Sequence, residues 1–130
     1  MAKVVQDFWI ITHAGYVLFK RVFNVKMHAQ LFGALLSALT SFSKEISNSG
    51  LTNFQSSSYK FTILKQGKFD FVATSSSNDN KKKVIGALKR ISTRFFKKYA
   101  DILDNWDNWN QNIDVFSDFE EEIKDYLRDR

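Results

Sequence analysis

Apolar and polar positions along the chain repeat with two different periods. From Val4 to Thr12 and from Tyr16 to Phe23, β-branched and aromatic residues crowd together (Phe8, Trp9, Ile10, Ile11, then Tyr16, Val17, Leu18, Phe19), with His13-Ala14-Gly15 between them. That composition predicts two strands, and Gly15 supplies the backbone freedom of a tight turn. Apolar residues fall on both faces of each strand, which predicts a sheet covered on both sides, because a sheet wet on one face alternates. From Lys26 to Ile46 the period becomes helical, with Met27, Leu31, Leu35, Ala38, Phe42 and Ile46 in one stripe. Phe32, Leu36 and Leu39 widen the apolar arc to roughly half the helix, beyond the ~100° of an ordinary surface helix. The remaining arc is small and nearly uncharged (Gln30, Gly33, Ser37, Thr40, Ser41), and Ser47-Asn48-Ser49-Gly50 ends the helix.

Strand character returns from Leu51 to Ser57 and then alternates, with Tyr59, Phe61 and Ile63 on one side and Lys60, Thr62 and Leu64 on the other. Gln66-Gly67 reads as a turn, after which Phe69, Phe71 and Ala73 resume the first side. The polar loop 75–80 ends in good N-cap residues. A second helix is predicted from about Lys81 to Leu103, with Val84, Leu88, Ile91, Phe95, Tyr99 and Ile102 as its buried stripe and Lys83, Arg90, Arg94 and Lys97 clustered opposite. After a connector holding Trp106 and Trp109, Ser117 opens a last helix with Glu120 at capping-box spacing. Phe116, Phe119, Ile123 and Leu127 form its buried face. The order β-β-α-β-β-β-α-α predicts one α+β domain over residues 1–130. Its expected core is a five-stranded antiparallel sheet, with one helix on one face and two on the other.

Composition narrows the class. The 130 residues are 44% hydrophobic and 15% aromatic, enough for a packed core, so disorder is excluded as the main state. Without cysteine there is no disulfide, thiolate metal site or cysteine nucleophile. No uncharged apolar run has the length of a membrane span, and Met1–Asp7 is charged too early for a signal peptide. A soluble cytoplasmic domain is the expectation. The net charge of +5 conceals an asymmetry: residues 81–100 hold eight basic and no acidic residues, whereas residues 101–130 hold three basic and ten acidic ones. Either each segment meets its own outside partner, or the two partly neutralise each other.

Catalytic signatures are missing. His13 and His28 have no carboxylate partner nearby in sequence, and there is no glycine-rich phosphate loop, G-x-S-x-G or H-E-x-x-H. The acidic residues between Asp101 and Glu122 lack the spaced, glycine-centred loop of a calcium site. The expectation is a protein that is no enzyme and holds no cofactor or metal. Lys83, Arg90, Arg94 and Lys97 suit anionic lipid heads or phosphates. Nucleic-acid readers interleave exposed aromatics with their charge, but Phe95, Phe96 and Tyr99 lie on or beside the buried stripe, which disfavours nucleic acid. Trp106 and Trp109 read as a clamp over the core edge.

The opening hairpin Trp9-Ile10-Ile11-Thr12-His13-Ala14-Gly15-Tyr16-Val17-Leu18-Phe19, and Tyr59-Lys60-Phe61 running through Lys68-Phe69-Asp70-Phe71-Val72, stand in this element order over residues 4–127. Together they resemble a longin domain. Similar hairpins open the longin-type domains of trafficking SNAREs, small coat-adaptor subunits and the signal-recognition-particle receptor; the roadblock fold is close kin, but its members usually begin with a helix. The resemblance implies a longin- or profilin-like architecture and a scaffold without catalysis, of the stand-alone kind also found in archaea. It implies partners such as a small GTPase, a coat or SNARE-like segment, another longin or roadblock domain, or a second copy of the chain, often at a membrane surface. Such domains dock through the first helix and the neighbouring sheet edges. The residue pattern independently marks that helix: Phe32, Leu36 and Leu39 exceed what one sheet face buries, and Gly33, Ser37 and Thr40 allow close approach. The alternative is a basic module for anionic membrane or nucleic acid.

Overall fold

The computed structural model describes residues 3–12, 16–22, 51–56, 59–76, 78–109 and 112–128. The helix expected over 26–46 lies outside these residues, with its candidate face Phe32, Gly33, Leu36, Ser37, Leu39 and Thr40; His13 and His28 lie outside them too. The fold is α+β, built on one open antiparallel sheet. Its strands are β1 (Asp7–Thr12), β2 (Val17–Arg21), β3 (Leu51–Ser56), β4 (Tyr59–Gln66) and β5 (Phe69–Ser76), in the spatial order β2-β1-β5-β4-β3. The described helices are α1 (Lys81–Lys98), α2 (Ala100–Asp104) and α3 (Phe119–Ile123), with 3-10 turns at Trp106–Asn108, Ile113–Phe116 and Lys124–Tyr126.

β1 runs between β2 and β5, and all six of its residues are buried. Phe8 and Ile10 face a core shared with the helices, while Trp9 and Ile11 face a second cluster with Phe61, Ile63 and Val72. This is why the sequence shows no alternation there: a central strand covered on both faces has no polar side. No residue of the described helices belongs to the second cluster.

β2 joins β1 through a bulge. Ile10 pairs with Phe19 but Ile11 pairs with Val17, leaving Leu18 as the extra residue. An inserted residue breaks the two-residue alternation, so the adjacent Leu18 and Phe19 both reach the helix-side core while Val17 packs on the other face.

The β4–β5 hairpin corrects one sequence expectation. The turn residues are Gly67 and Lys68, with Gly67 at φ +61°, one position later than Gln66-Gly67. Gln66 then pairs with Phe69, Leu64 with Phe71 and Thr62 with Ala73. Phe69, Phe71 and Ala73 therefore share the face of Leu64, not that of Phe61 and Ile63, because a two-residue turn pairs odd-numbered residues of β5 with even-numbered residues of β4 wherever it is centred.

α1 and the C-terminal elements cover the helix-side face, with Leu88, Ile91, Phe95, Phe116, Phe119 and Ile123 fully buried against it. The helix expected to run to Leu103 is interrupted at Tyr99, whose φ of −110° and ψ of 25° leave the helical region. Its ring packs edge-on to Phe116 at 4.9 Å and its hydroxyl donates to Asp118 at 2.6 Å, which fixes the chain at the break. The capping box expected at Ser117 does not form, since its hydroxyl donates back to the Asp114 carbonyl at 2.8 Å. Asp118 stands at the N-cap instead and makes no side-chain cap bond; its carboxylate is engaged by Tyr99 and Lys98. Among the described residues no helix is long and apolar enough to cross a membrane.

Candidate functional site

The solvent face of α1 carries most of the eight cations of residues 81–100. Asn80 begins the helix in extended conformation and its side chain accepts from the Lys82 N–H at 2.8 Å, an ordinary N-cap. No acidic residue follows in the first turn, and Lys81, Lys82 and Lys83 are all exposed there. Three cations at the positive end of a helix dipole oppose the macrodipole, at about 0.3–1 kcal/mol each at low salt. Helical spacing carries the charge onward through Lys89, Arg90 and Lys97, which are also exposed.

The four candidate residues of this face divide. Lys83, Arg90 and Lys97 project to solvent, and no ion pair to them occurs among the described residues. Arg94 is half-buried: its guanidinium donates to the Glu122 carbonyl and lies 5.0 Å from the centre of the Tyr126 ring. Lys98, one turn on, reaches Asp118 at 3.3 Å and Glu122 at 3.6 Å. The acidic C-terminal segment thus engages only the flank of the helix that it packs against. Phe95 and Tyr99 are buried and Phe96 is half-buried against Phe69 and Phe71, so the charged face carries no exposed ring for stacking.

Tyr99, Asp118 and Lys98 form a small titrating cluster. The hydrogen bond from Tyr99, followed by that from Lys98, holds the Asp118 carboxyl below its ordinary range. Burial pushes the Tyr99 phenol up, reinforced by its bond to Asp118. The Lys98 ammonium is raised chiefly by its bond to Asp118. For a carboxyl whose folded-state pKa is depressed, the stabilisation is present above the unfolded value of about 4 and disappears as pH falls through the folded one. Tyr99→Phe is therefore expected to lower the urea midpoint at neutral pH and to shallow its fall below about pH 4. Equal midpoints at neutral pH together with parallel acid limbs would show that the bond contributes nothing to stability.

A second candidate lies where the connector crosses the end of the β1–β2 hairpin. Trp106 and Trp109 stack at 4.7 Å and 14°. Trp106 stands edge-on to Phe69 at 5.2 Å and Trp109 packs on Phe116 at 5.7 Å. The pair therefore sits on the core edge, and it also walls a cavity of about 570 Å³ together with Thr12, Tyr16, Val17, Asp107 and Ile113. Tyr16 and Ile113 are the exposed large hydrophobic residues at its rim, at 63% and 49% exposure. That volume is within the range of small-ligand sites. Its described walls are largely aromatic and aliphatic, with no nucleophile set beside a base, so the cavity suits an inserted apolar group better than a reaction.

The sequence singled out neither this cavity nor the hydroxyl bond between Tyr99 and Asp118, because both join residues distant along the chain. The acidic run after α1 was the one available signal for the second. No protein-family model matches the chain, and no curated protein matches it in sequence.

Proposed function

We propose that the chain is a non-catalytic protein-interaction module of longin type, a scaffold or regulator in small-GTPase or membrane-trafficking-type assemblies. The observation that carries this reading is the open sheet, in which β2 and β3 each have a neighbour on one side only among the described residues. An edge strand offers unpaired N–H and C=O groups, so an added partner strand gains main-chain hydrogen bonds while an adjacent apolar face supplies burial. The sequence pattern of Phe32, Leu36 and Leu39 gives that apolar face, and Gly33, Ser37 and Thr40 leave room beside it.

A second reading is favoured by the exposed cations of α1. Lys82, Lys83, Lys89, Arg90 and Lys97 present a basic strip that the acidic C-terminal segment does not reach. Such a strip attracts an anionic membrane by about 1 kcal/mol per residue near the surface.

One capture experiment separates the readings. The tagged full chain and its Phe32→Asp/Leu36→Asp variant are incubated with nuclease-treated native extract, and in parallel with anionic vesicles. The docking reading expects a small GTPase, a second longin or roadblock protein, or a coat component on the parent chain and its loss from a variant that still unfolds cooperatively. A variant that no longer unfolds cooperatively places Phe32 and Leu36 in the core and removes the docking face. Retention on vesicles alone, abolished in Lys83→Glu/Arg90→Glu/Lys97→Glu, would transfer the function to the basic strip.

A further inference from the structure

A small polar cleft lies on the helix side of the sheet, away from the aromatic cavity. Register explains its composition. Asn53 pairs with Thr62, and Gln55 pairs with Lys60, which in turn pairs with Ser75. All five residues therefore share the face on which Phe71, Ala73 and Leu64 meet α1. Toward β3 the apolar residues give way to these polar ones, just where the first turn of α1 passes over the strands. The result is a cavity of about 130 Å³ between that turn and the sheet.

Its floor and rim differ. Thr62, Ser75 and Val84 are buried, whereas Asn53, Gln55 and Lys81 are exposed at the mouth and Lys60 is half-buried beside them. Among the described residues no carboxylate lines the cleft. The nearby Asp79 is held by the Ser76 N–H at 2.8 Å and by Arg128 at 3.1 Å.

Ser75 is the decisive residue. It is 1% exposed, it lines the cleft, and its hydroxyl has no hydrogen-bond partner among the described residues. A buried hydroxyl without a partner costs free energy, and native proteins keep few of them. Here the donor stands in a space with room for several waters, flanked by two ammonium groups and the positive end of an 18-residue helix. Donor, charge and dipole all favour the same occupant, a compact oxyanion.

We propose that this cleft binds a phosphoryl group, as free phosphate or as a phosphomonoester, with Lys60 and Lys81 supplying the charge and the Ser75 hydroxyl the buried hydrogen bond. A phosphomonoester carries about −1.5 to −2 charges at neutral pH, which two ammonium groups balance. Asn53 and Gln55 at the mouth are placed to take the ester substituent.

The test uses the full isotope-labelled chain at constant ionic strength. Inorganic phosphate and glycerol 3-phosphate are titrated against it while the backbone amides of Ser75 and Lys81 are followed by NMR. Saturable shifts at these amides are expected, with affinity falling about tenfold in Lys81→Gln and in Ser75→Ala and staying within about twofold in Lys97→Gln, whose charge lies elsewhere on the same helix. Ser75→Ala removes a hydroxyl that bonds to none of the described residues, so the fold has no reason to suffer. Vesicles bearing phosphatidate, compared with phosphatidylglycerol vesicles of equal charge, identify the source. Preferential retention on phosphatidate, lost in Ser75→Ala, assigns a lipid headgroup; saturation by the soluble esters without that preference assigns a soluble phosphate. Shifts spread evenly over Lys89, Arg90 and Lys97, or no signal from any probe that Ser75→Ala and Lys81→Gln weaken, overturns the proposal.

Discussion

Phe95→Ala is expected to remove about 3–5 kcal/mol of folding stability, as for other fully buried phenylalanines. Phe95 is completely buried, and its ring centre lies 5.6 Å from Phe69, 5.5 Å from Phe71, 5.3 Å from Tyr99, 5.7 Å from Phe116 and 5.6 Å from Phe119. These neighbours come from β5, from the end of α1, and from the 3-10 turn and α3 near the C-terminus, so this one ring joins three parts of the chain. All five contacts are edge-on or tilted, arrangements that aromatic quadrupoles favour over face-to-face stacking. A ring held from several directions leaves a hole that no single neighbour can fill, which places the loss at the cavity-dominated end of the range. Marginal stability makes such a loss large, because a domain keeps only about 5–15 kcal/mol in all. The check is a urea melt followed by far-ultraviolet dichroism, with the midpoint falling and the slope unchanged. A loss below about 1 kcal/mol would mean that the aromatic cluster is not closely packed.

Ending the chain after Ile123 is expected to cost a comparable amount, about 3–6 kcal/mol, from the burial of Tyr126 and Leu127. The segment also closes the two ends of the described chain onto each other. Val5 donates to the Tyr126 carbonyl at 3.1 Å, Arg128 donates to the Val5 carbonyl at 2.8 Å, and Val5 and Leu127 form a parallel bridge. The buried Arg21 donates to the Gln6 carbonyl at 2.7 Å and to the carbonyl of Arg128. Removing the segment strips partners from buried backbone groups and from a buried guanidinium, losses that add to the apolar term. Leu127→Ala on the intact chain isolates part of that apolar term and should cost about 2–5 kcal/mol. A shortened chain with an unchanged thermal midpoint would show that the closure is ornamental.

The sequence carried the fold class well where one period dominates. Strand pairs such as Phe61 with Ile63, and the buried stripe Val84, Leu88, Ile91, Phe95, follow directly from spacing. It failed at features decided by a single residue or by a distant partner. Placing Phe69, Phe71 and Ala73 beside Phe61 and Ile63 continues the alternation straight through the hairpin, whereas a two-residue turn sets odd positions of β5 opposite even positions of β4. Ser117 has the spacing of a capping box, but the Asp114 carbonyl competes for its hydroxyl. The interruption at Tyr99 follows from packing on Phe116 and a bond to Asp118, neither visible in a helical wheel. Among the candidate residues, Lys83, Arg90 and Lys97 stand where the spacing placed them, while Arg94 is drawn into contact with Glu122 and Tyr126. The phosphoryl cleft was illegible because its residues share a face only after β3, β4 and β5 are paired.

The position of β1 also determines the order in which the molecule can assemble. β3, β4 and β5 join through short connections, and so do β1 and β2, so each group closes locally at little entropic cost. The pairing of β1 with β5 instead joins Asp7 to Thr74, 67 residues apart, and it unites the two halves of the sheet. Until that seam closes, β5 exposes a full row of ladder groups above a largely apolar strand. Contacts of high sequence separation slow folding, and an open apolar edge is the surface on which a second unfolded chain adds. β1, the interior strand that gives the finished core its two-sided burial, is thus expected to pair with β5 late, and the interval before it does is when the chain is most exposed to aggregation.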